Sequence, residues 1–487
     1  MISALQSTYE NDQACVLTQD GMTGSFRCTA GVKQGCPASP LLFGLYIDEL
    51  EKMLLEARSP PHPPLPAGLR RHEGEQGAIP SLQNTQAENA LDAPRLLDVL
   101  IPLLLFADDL ALLSHSPAGL QAQLNILQQF CHSRGLVVNV MKTKVMVFEH
   151  RKTACPAFFF DGEEIARVEA FKYLGIMFHG TRGLSCAIEQ LAISARKALF
   201  ALYGRCREMH IHDPQMKCRL FDALVRPILS YACEVWAVSG GKAALQKLEH
   251  IHRSFLKKLL GVPENTTTKM VYAEFGRMPL KHFWWKQSMK YVYRMRELEN
   301  NRLCKVAYIA GYREGLAWHK GMEERCHKLS LEPPVPDRDM DLDAAIAASA
   351  DHYTQWIMQP DPDSKMQQTY FSFKTQFQFE PYIIEAKNAH LRRIIANFRV
   401  GNHGLHIHTG RYDHILTYDD RHCPSCQHEV EDELHAIFAC PDYAASRVKF
   451  ADLFFTAPTL RAFLTQKAVH RISLFLTECR DIRMLRR

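Results

Sequence analysis

Two adjacent aspartates, Asp108 and Asp109, interrupt the otherwise apolar run "LLLFADDLALL" that covers residues 103–113. In a low-dielectric site two neighbouring carboxylates repel each other, and one becomes neutral unless a cation compensates the charge. A divalent metal with oxygen ligands is the common compensation. A hairpin with both carboxylates at its tip would suit one or two Mg²⁺ ions that hold phosphate oxygens during an in-line displacement. The alternative is a solvated turn in which the aspartates only cap backbone N–H groups.

A second candidate metal site lies in the stretch "HCPSCQHEVEDELHAIFACPDY". Its Cys-x2-Cys-x8-His-x4-Cys spacing offers three thiols and one imidazole, which form a closed tetrahedral set for structural Zn²⁺. His422 and His428 are competing imidazoles, and a small core with free thiols is the alternative. The four candidate zinc ligands are Cys423, Cys426, His435 and Cys440.

Composition restricts the class of protein. The chain has 487 residues and is 47% hydrophobic, which is enough for a buried core and excludes global disorder. The apolar run from Val99 to Ala107 has nine residues, whereas a membrane helix needs about 20. The first residues, "MISALQSTYEND", contain no secretory signal. Fifteen cysteines without such a signal favour reduced thiols with one metal cluster over a disulfide framework.

The elements that must position the aspartates are a mixture of helices and strands around one sheet. The first 50 residues predict a helix, a hairpin, a loop and a second helix. A later helix is expected to begin at Ser116-Pro117, where the hydroxyl caps the first turn, and to end before Gly135. The stretches "LVVNVMKTKVMVFEH" and "FKYLGIMFH" predict two further strands. Residues 59–95 are rich in Pro, Gly and polar residues and predict a flexible insertion.

The rest of the chain is predicted to be mainly helical and basic. From Gln190 to Ser330 there are 25 Lys and Arg against 12 Asp and Glu, a balance that suits a polyanion or a solvated helical surface. The predicted segments are a first domain (1–180), a helical region (181–330), an acidic Pro-rich linker (331–372), a region with the Cys/His cluster (373–450) and a C-terminal helix (451–487).

Four stretches stand in an order that resembles a known family. They are "GVKQGCPASPLLFGLYIDEL", "LLLFADDLALLS", "CHSRGLVVNVMKTKVMVF" and "FKYLGIMF". This set resembles the second half of the reverse transcriptase domain of non-LTR (LINE-type) retrotransposons, over residues 1–180. The helical part with "VRPILSYACEVW" and the Cys/His segment resemble the region C-terminal to the polymerase core in these elements. The resemblance implies an α+β fold: a partial polymerase palm, an antiparallel sheet with helices, then a helical thumb or connection region and a zinc knuckle.

The resemblance also implies roles for single residues. Asp108 and Asp109 match the aspartate pair that holds the catalytic Mg²⁺ (or Mn²⁺) ions. Gln34 and Gly35 match the loop that shapes the pocket for the incoming nucleotide and the templating base. Lys142 matches a lysine near the triphosphate, in a "GL..N..K" segment that begins at Gly135.

The remaining implied roles concern the primer, the partners and the zinc site. Tyr173 and Gly175 match the hairpin that grips the primer end. The implied partners are an RNA template, a DNA primer and dNTPs, with no membrane. The family's zinc pattern uses the four ligands named above, so His422 and His428 rank lower. Nearby basic residues suit RNA or single-stranded nucleic acid, or else protein contact; they are Arg393, Arg399 and Arg411.

One departure from the family pattern bears on activity. The family has a third metal-binding carboxylate on an earlier strand, whereas the acids that precede Gly31 here are Glu10, Asp12 and Asp20. None of them lies on an apolar strand, so we expect an N-terminally truncated polymerase that makes no DNA by itself. The alternatives are a non-catalytic nucleic-acid-binding remnant and an expressed relic without function.

Overall fold

The computed structural model describes residues 2–10, 12–19, 21–28, 31–33, 35–56, 92–149, 155–336, 338–386, 388–415, 417–427, 429–455 and 457–485. Contacts divide the chain into two compact units, residues 1–169 and residues 170–487. The hairpin at residues 170–179, part of the segment predicted over residues 1–180, belongs by its contacts to the second unit. The described helices include none that is long and apolar enough to cross a membrane.

The described residues of the first unit form short antiparallel strand pairs and three helices. The helices are α1 (Ile2–Tyr9), α2 (Ser39–Glu56) and α3 (Pro117–Arg134). The strands are β1 (Gln13–Ala14), β2 (Leu17–Thr18), β3 (Gly21–Met22), β4 (Phe26–Arg27), β5 (Arg95–Leu96), β6 (Val99–Leu100), β7 (Leu103–Phe106), β8 (Asp109–Leu112), β9 (Phe158–Phe160) and β10 (Glu163–Ile165). They pair as β1–β4, β2–β3, β5–β6, β7–β8 and β9–β10.

The core of the first unit lies where α2 and α3 meet the later strands. Leu50 and Leu54 of α2 pack in one buried cluster with Phe130 of α3 and Phe158 of β9. The ends of α3 are as predicted. Ser116 Oγ accepts the Gly119 N–H at 3.1 Å, Pro117 is the first helical residue, and Gly135 ends the helix in a left-handed conformation with φ 64°.

Two predictions for the first unit are wrong within the described residues. The strands form separate two-stranded pairs and not one sheet. Residues 136–149 contain no strand, and Val145 makes only an isolated parallel bridge to Arg167. The apolar residues of this stretch pack against the core without a ladder, which explains why they resemble a strand in sequence. Of the predicted insertion, only residues 92–95 are described; there Ala93 is buried.

The second unit begins with a hairpin and continues as helices. The hairpin is β11 (Ala170–Tyr173) paired with β12 (Ile176–His179). The helices are α4 (Ser185–Glu208), α5 (Pro214–Leu224), α6 (Arg226–Leu229), α7 (Cys233–Trp236), α8 (Lys242–Leu260), α9 (Thr268–Glu274), α10 (Leu280–Glu297), α11 (Leu303–Arg313), α12 (Ala317–Lys328), α13 (Leu342–Met358), α14 (Lys365–Phe373), α15 (Tyr382–Glu385), α16 (Ala389–Arg399), α17 (His406–Thr409), α18 (Ala444–Lys449), α19 (Asp452–Phe455), α20 (Leu460–Thr465) and α21 (Val469–Leu485).

Helices also replace the predicted linker. The segment 331–372 contains α13 and most of α14, and Ile357 and Tyr370 are buried in the main core. Within this segment, the described residues 331–336, 338–341 and 359–364 lie outside the helices, as their prolines predict. Likewise, the described residues of 451–485 contain three helices, α19 to α21, and not the single C-terminal helix expected.

A buried ionic cluster joins α9 to the segments around α15 and α16. The Arg399 guanidinium is fully buried and pairs with Glu274 at 2.9 Å and with Glu380 at 2.7 Å. The Tyr370 hydroxyl donates to Glu274 at 2.8 Å. Burial alone would lower the pKa of Arg399, but the two carboxylates raise it. Arg399 therefore stabilises the core and is not available to nucleic acid, contrary to the prediction made from its position near the Cys/His cluster.

Candidate functional site

The aspartate doublet lies at the tip of the hairpin formed by β7 and β8, as predicted. Phe106 pairs with Asp109, so the loop between the strands contains only Ala107 and Asp108. Ala107 has a φ of 52°, in the left-handed region that two-residue hairpin loops use because it fits the twist of the strands. Asp108 is thus the second loop residue, and Asp109 is the first residue of β8.

Both carboxylates at this tip are exposed, whereas four leucines of β7 and β8 pack against the core: Leu103, Leu105, Leu110 and Leu112. The prediction that the doublet lies in low-dielectric surroundings is therefore wrong for the described residues. No third His, Cys, Asp or Glu ligand atom joins the pair within 4.8 Å in this part of the chain. Two exposed carboxylates without a third ligand bind a divalent cation weakly.

A neighbouring hairpin provides an internal comparison. Between β5 and β6, Leu97 and Asp98 form a two-residue loop, and Leu97 has a φ of 53°. Asp98 therefore occupies the position that Asp108 has in the other hairpin, with Val99 where Asp109 stands. Because this turn has one aspartate and no neighbouring carboxylate at the next position, it represents a solvated turn without a metal site. Asp98 is therefore a matched control for substitutions in the doublet.

The loop that precedes α2 is held by a hydrogen bond from Ser39 and by an ion pair with Asp12. Ser39 Oγ donates to the Lys33 carbonyl oxygen at 2.6 Å, and Lys33 Nζ lies 3.2 Å from an oxygen of Asp12. Gly35 has a φ of 82° and open space around the position of a Cβ, so backbone conformation alone requires glycine there. Gln34 lies outside the described residues, and its role stays a prediction.

Lys142 follows a turn that Asn139 stabilises. The Lys142 N–H donates to Asn139 Oδ1 at 3.0 Å, which is the local side-chain contact typical of asparagine in turns. The Lys142 side chain is exposed, and no carboxylate of the described residues forms an ion pair with it. The charge is therefore free for an anion, although no contact links it to the aspartates.

A tyrosine from a later segment of the second unit contacts the loop of the hairpin formed by β11 and β12. Leu174 and Gly175 form its two-residue loop with φ of 47° and 83°, and the Tyr231 hydroxyl donates to the Leu174 carbonyl oxygen at 2.7 Å. A Cβ on Gly175 would stand 2.9 Å from the Tyr231 ring, so both conformation and space require glycine. Tyr173 is half-buried at the end of β11. The proposed contact of Tyr173 and Gly175 with a primer stays a prediction.

The four predicted zinc ligands come together in the second unit. Their ligand atoms all lie within 4.8 Å of one another. The two sulfurs of Cys423 and Cys440 are 3.9 Å apart, and Cys426 Sγ lies 3.5 Å from His435 Nε2. Tetrahedral Zn–S bonds of about 2.3 Å imply sulfurs about 3.8 Å apart, whereas a disulfide needs about 2.05 Å. The spacings fit a tetrahedral metal ion and not a disulfide.

Local backbone structure creates this convergence. Cys423 and Cys426 lie on a tight turn in which the Gln427 N–H donates to the Cys423 carbonyl oxygen at 2.9 Å. His435 begins a single π-helical turn, and the Cys440 N–H donates to the His435 carbonyl oxygen at 2.8 Å. This i→i+5 hydrogen bond, which defines a π turn, brings the backbones of His435 and Cys440 together.

The protonation of His435 also suits a metal. Its Nδ1 lies 2.7 Å from Glu429 Oε2, so Nδ1–H donates to the carboxylate and the lone pair of Nε2 points toward Cys426. His422, the competing imidazole, is exposed and not part of the cluster, and His428 lies outside the described residues. The residues present therefore fit Zn²⁺, which Cys423, Cys426, His435 and Cys440 would hold.

A second buried cluster, His403, His408 and Glu433, was not expected from the sequence. Nε2 of His403 and of His408 lie 2.9 Å and 3.0 Å from the same oxygen, Oε1 of Glu433. His403 Nδ1 accepts the Leu405 N–H at 3.1 Å, so the neutral ring carries its proton on Nε2 and donates it to Glu433. A protonated Nε2 is not a metal ligand, and the cluster is a hydrogen-bonded brace.

The pKa directions of His403 and Glu433 support the interpretation of this cluster as a hydrogen-bonded group without a metal. Burial lowers the pKa of His403, which keeps the ring neutral. Burial would raise the pKa of Glu433, but the hydrogen bonds from His403 and His408 lower it overall. The histidines stand five residues apart in the chain and Glu433 lies 25 residues after His408, so no short motif indicates the cluster.

A known protein family matches most of the first unit and the hairpin that begins the second unit. Residues 4–178 match the family described as reverse transcriptase (RNA-dependent DNA polymerase). The match includes the aspartate hairpin, the Gly35 loop, Lys142 and the hairpin with Tyr173. The zinc cluster lies outside this match.

Three relatives are from mobile elements or derived from them. A transposon-derived protein of Caenorhabditis elegans is 28% identical over 164 residues, which is 32% of this chain and 56% of that protein. The RNA-directed DNA polymerase from mobile element jockey of Drosophila melanogaster is 26% identical over 172 residues, 34% of this chain and 18% of that protein. The retrovirus-related Pol polyprotein from the type-2 retrotransposable element R2DM of Drosophila melanogaster is 25% identical over 311 residues, 61% of this chain and 25% of that protein.

The chain spans about half of the Caenorhabditis elegans relative and a quarter or less of the two Drosophila proteins. The R2DM similarity covers more than half of this chain. Residues 4–178 therefore belong to the reverse transcriptase family, in the form found in non-LTR (LINE-type) retrotransposons.

Proposed function

We propose that the chain takes part in RNA-directed DNA synthesis, with Asp108 and Asp109 as ligands of Mg²⁺ or Mn²⁺. The observation that carries this proposal is the carboxylate doublet at a two-residue hairpin tip, inside the segment that matches reverse transcriptases. A hairpin anchored by leucines in the core holds both carboxylates on a short, well-supported turn. The substrates would be a DNA primer paired to an RNA template and a dNTP.

The reaction would be attack of the primer 3′ oxygen on the α-phosphorus of the dNTP, with pyrophosphate as leaving group. When bound, the metal would neutralise charge on the phosphate oxygens. Asp108 and Asp109 would place it, and Lys142 would neutralise the triphosphate or protonate the pyrophosphate. The exposed Lys142 ammonium, without an ion-pair partner among the described residues, supports this role.

Gly35 and the hairpin of β11 and β12 would position the two substrates. The left-handed backbone at Gly35 leaves open space that a base pair can approach, which supports a pocket role for the Gln34-Gly35 loop. Tyr231 fixes the loop at Gly175, which supports a rigid contact with the primer end. Zn²⁺ at the Cys/His cluster would stabilise the fold, because four protein ligands leave no open position.

Among the described residues, no third carboxylate joins the doublet. We expect that the polypeptide of residues 1–487 makes no DNA in a primer-extension assay on an RNA template, with Mg²⁺ or Mn²⁺. An exposed doublet alone neither binds the metal pair tightly nor places the attacking oxygen. A folded sample with a cooperative thermal transition is the necessary control. Template-dependent product that disappears in Asp108→Ala would contradict this expectation.

The second candidate function is binding of nucleic acid without catalysis. The exposed face of α4 favours it. Arg196, Lys197 and Arg207 share this face with Phe200, which is 70% exposed. These three cations have no ion-pair partner among the described residues. Cations beside an exposed ring suit phosphates and unstacked bases.

A further inference from the structure

A cavity of about 540 Å³ lies between α16 and α21 in the second unit. The turn after α16 and the π-helical turn of the Cys/His cluster complete its wall, through Leu405, Ala436 and Ile437. Its volume falls within the range of about 300–1,000 Å³ that is typical of small-molecule sites. We call it the basic-rimmed cavity because exposed Arg393 and Arg480 stand at its mouth.

The interior of the basic-rimmed cavity is apolar and partly aromatic. Phe398, Leu405, Phe475 and Leu476 line it, and all four are buried. Asn397 also lines it and donates both amide hydrogens to backbone carbonyls, those of Gly261 and Arg393. Its Oδ1 is therefore the atom that Asn397 offers to a ligand, as an acceptor. The interior suits a flat, mainly apolar ring that carries a polar edge.

The rim of the cavity is positively charged. Arg393 on α16 and Arg480 on α21 are exposed lining residues, and His390 lies one turn before Arg393. The part of the chain that the structure describes contains no carboxylate within ion-pair distance of Arg393. Among the described residues, the carboxylate that pairs with Arg480 is that of the adjacent, exposed Asp481, which is a weak pair.

A third lining arginine does not add to this charge. Both oxygens of the Glu431 carboxylate accept from Arg483, which is therefore neutralised. The positive charge that a ligand can reach is thus on Arg393 and on the weakly paired Arg480, at the mouth, and not inside. This arrangement places an anionic group at the rim and an uncharged ring in the interior.

We propose that the basic-rimmed cavity holds one unstacked nucleotide of a single-stranded nucleic acid. The base lies among Phe398, Phe475 and Leu476, and the phosphate contacts Arg393 and Arg480. A nucleotide combines a flat ring, polar edges and a phosphate, and single-stranded nucleic acid exposes such rings at little cost. This inference rests on the proposed nucleic-acid function of the chain and assigns one of its contacts to a defined site.

The test uses the full chain and a single-stranded 12-mer RNA with one 2-aminopurine, whose fluorescence rises when the base unstacks. We expect binding, a several-fold rise in fluorescence, and an affinity about five- to tenfold weaker for Arg393→Ala and for Arg480→Ala. Arg313→Ala removes one exposed arginine from α11, which is not part of the cavity wall, and we expect a change below twofold.

Cys479→Phe, which fills the cavity, should abolish the fluorescence rise; if it does not fold, the arginine variants carry the test. Equal affinities of Arg393→Ala and Arg313→Ala, with no change in fluorescence, would overturn the cavity site while the chain still binds RNA. Failure of the wild type to bind any oligonucleotide would overturn this inference and the proposed function together. Arg393-dependent binding of an acidic aromatic peptide that the RNA does not displace would overturn the nucleotide and show that the ligand is a protein.

Discussion

At the scale of single residues, hydrogen bonds distinguish two clusters that look alike in composition. His435 donates from Nδ1 to Glu429 and keeps the lone pair of Nε2 for a metal, whereas His403 accepts at Nδ1 and donates from Nε2. Only the first arrangement is that of a metal ligand supported by a carboxylate. The hydrogen-bond partner of Nδ1 thus determines whether Nε2 can bind zinc, as in His435, or donates a hydrogen bond, as in His403.

This difference predicts the effect of Glu429→Gln on zinc binding. Loss of the carboxylate that orients His435 should weaken zinc affinity by about 10–100-fold, as for other outer partners of metal ligands. Cys440→Ser should abolish zinc binding, and Cys304→Ser, at an exposed thiol of α11, should leave it unchanged. Metal analysis and competition with a chromogenic chelator measure all three. A wild-type protein that takes up no zinc would contradict the assignment.

At the scale of elements, the helix α4 carries the surface that most favours nucleic acid. Its buried side packs on α8 and in the main core, through residues such as Ile188 and Leu199. Its exposed side carries Arg196 and Lys197 next to Phe200. The two sides follow from the helical repeat, and only the inner side is needed for the fold. Substitutions on the outer side therefore test binding without loss of the core.

We expect the double variant Arg196→Ala/Lys197→Ala to bind single-stranded RNA more weakly and with less dependence on salt. Two lost phosphate contacts should reduce the slope of log affinity against log salt by about 1.4. The control is Arg313→Ala/Lys328→Ala, which removes the same two residue types from exposed positions of α11 and α12. Fluorescence anisotropy at several salt concentrations provides the slopes. Identical slopes for the two double variants would argue against this face.

At the scale of the second unit, one buried ionic cluster joins segments that are far apart in sequence. Glu274 at the end of α9 contacts Arg399 at the end of α16, 125 residues later, and also accepts from Tyr370 and Tyr382. Arg399 also pairs with Glu380, which Lys374 contacts in turn, so removal of the Glu274 charge leaves two buried cations with one buried carboxylate. The energetic cost of this exceeds the contribution of the intact pair.

Glu274→Gln should therefore lower the free energy of unfolding of the second unit by about 3–5 kcal/mol. Glu208→Gln, which removes an exposed partner of Arg205 on α4, should have little effect. Urea unfolding with detection by the fluorescence of the buried tryptophans, such as Trp236 and Trp284, measures both. A similar change in the two variants would mean that the buried cluster does not hold the unit together.

Local features of the molecule are predictable from the sequence, and distant pairings are not. The cap at Ser116, the hairpin at Asp108 and the Cys/His spacing depend on neighbouring residues, so their patterns are visible in the chain. The pairing of Glu274 with Arg399 depends on the fold of the whole second unit. The helix α13 is not predicted, because the proline-rich, acidic composition of residues 331–341 indicates a linker over the adjacent residues as well.

Electron paramagnetic resonance of Mn²⁺ tests most directly whether the doublet binds a divalent cation. Titration of the full chain at up to millimolar Mn²⁺ should show a weak site that is lost in Asp108→Asn and in Asp109→Asn. Asp98→Asn, at the same loop position of the neighbouring hairpin, should keep that site. Equal Mn²⁺ binding by the wild type and all three variants would show that Asp108 and Asp109 form only a solvated turn.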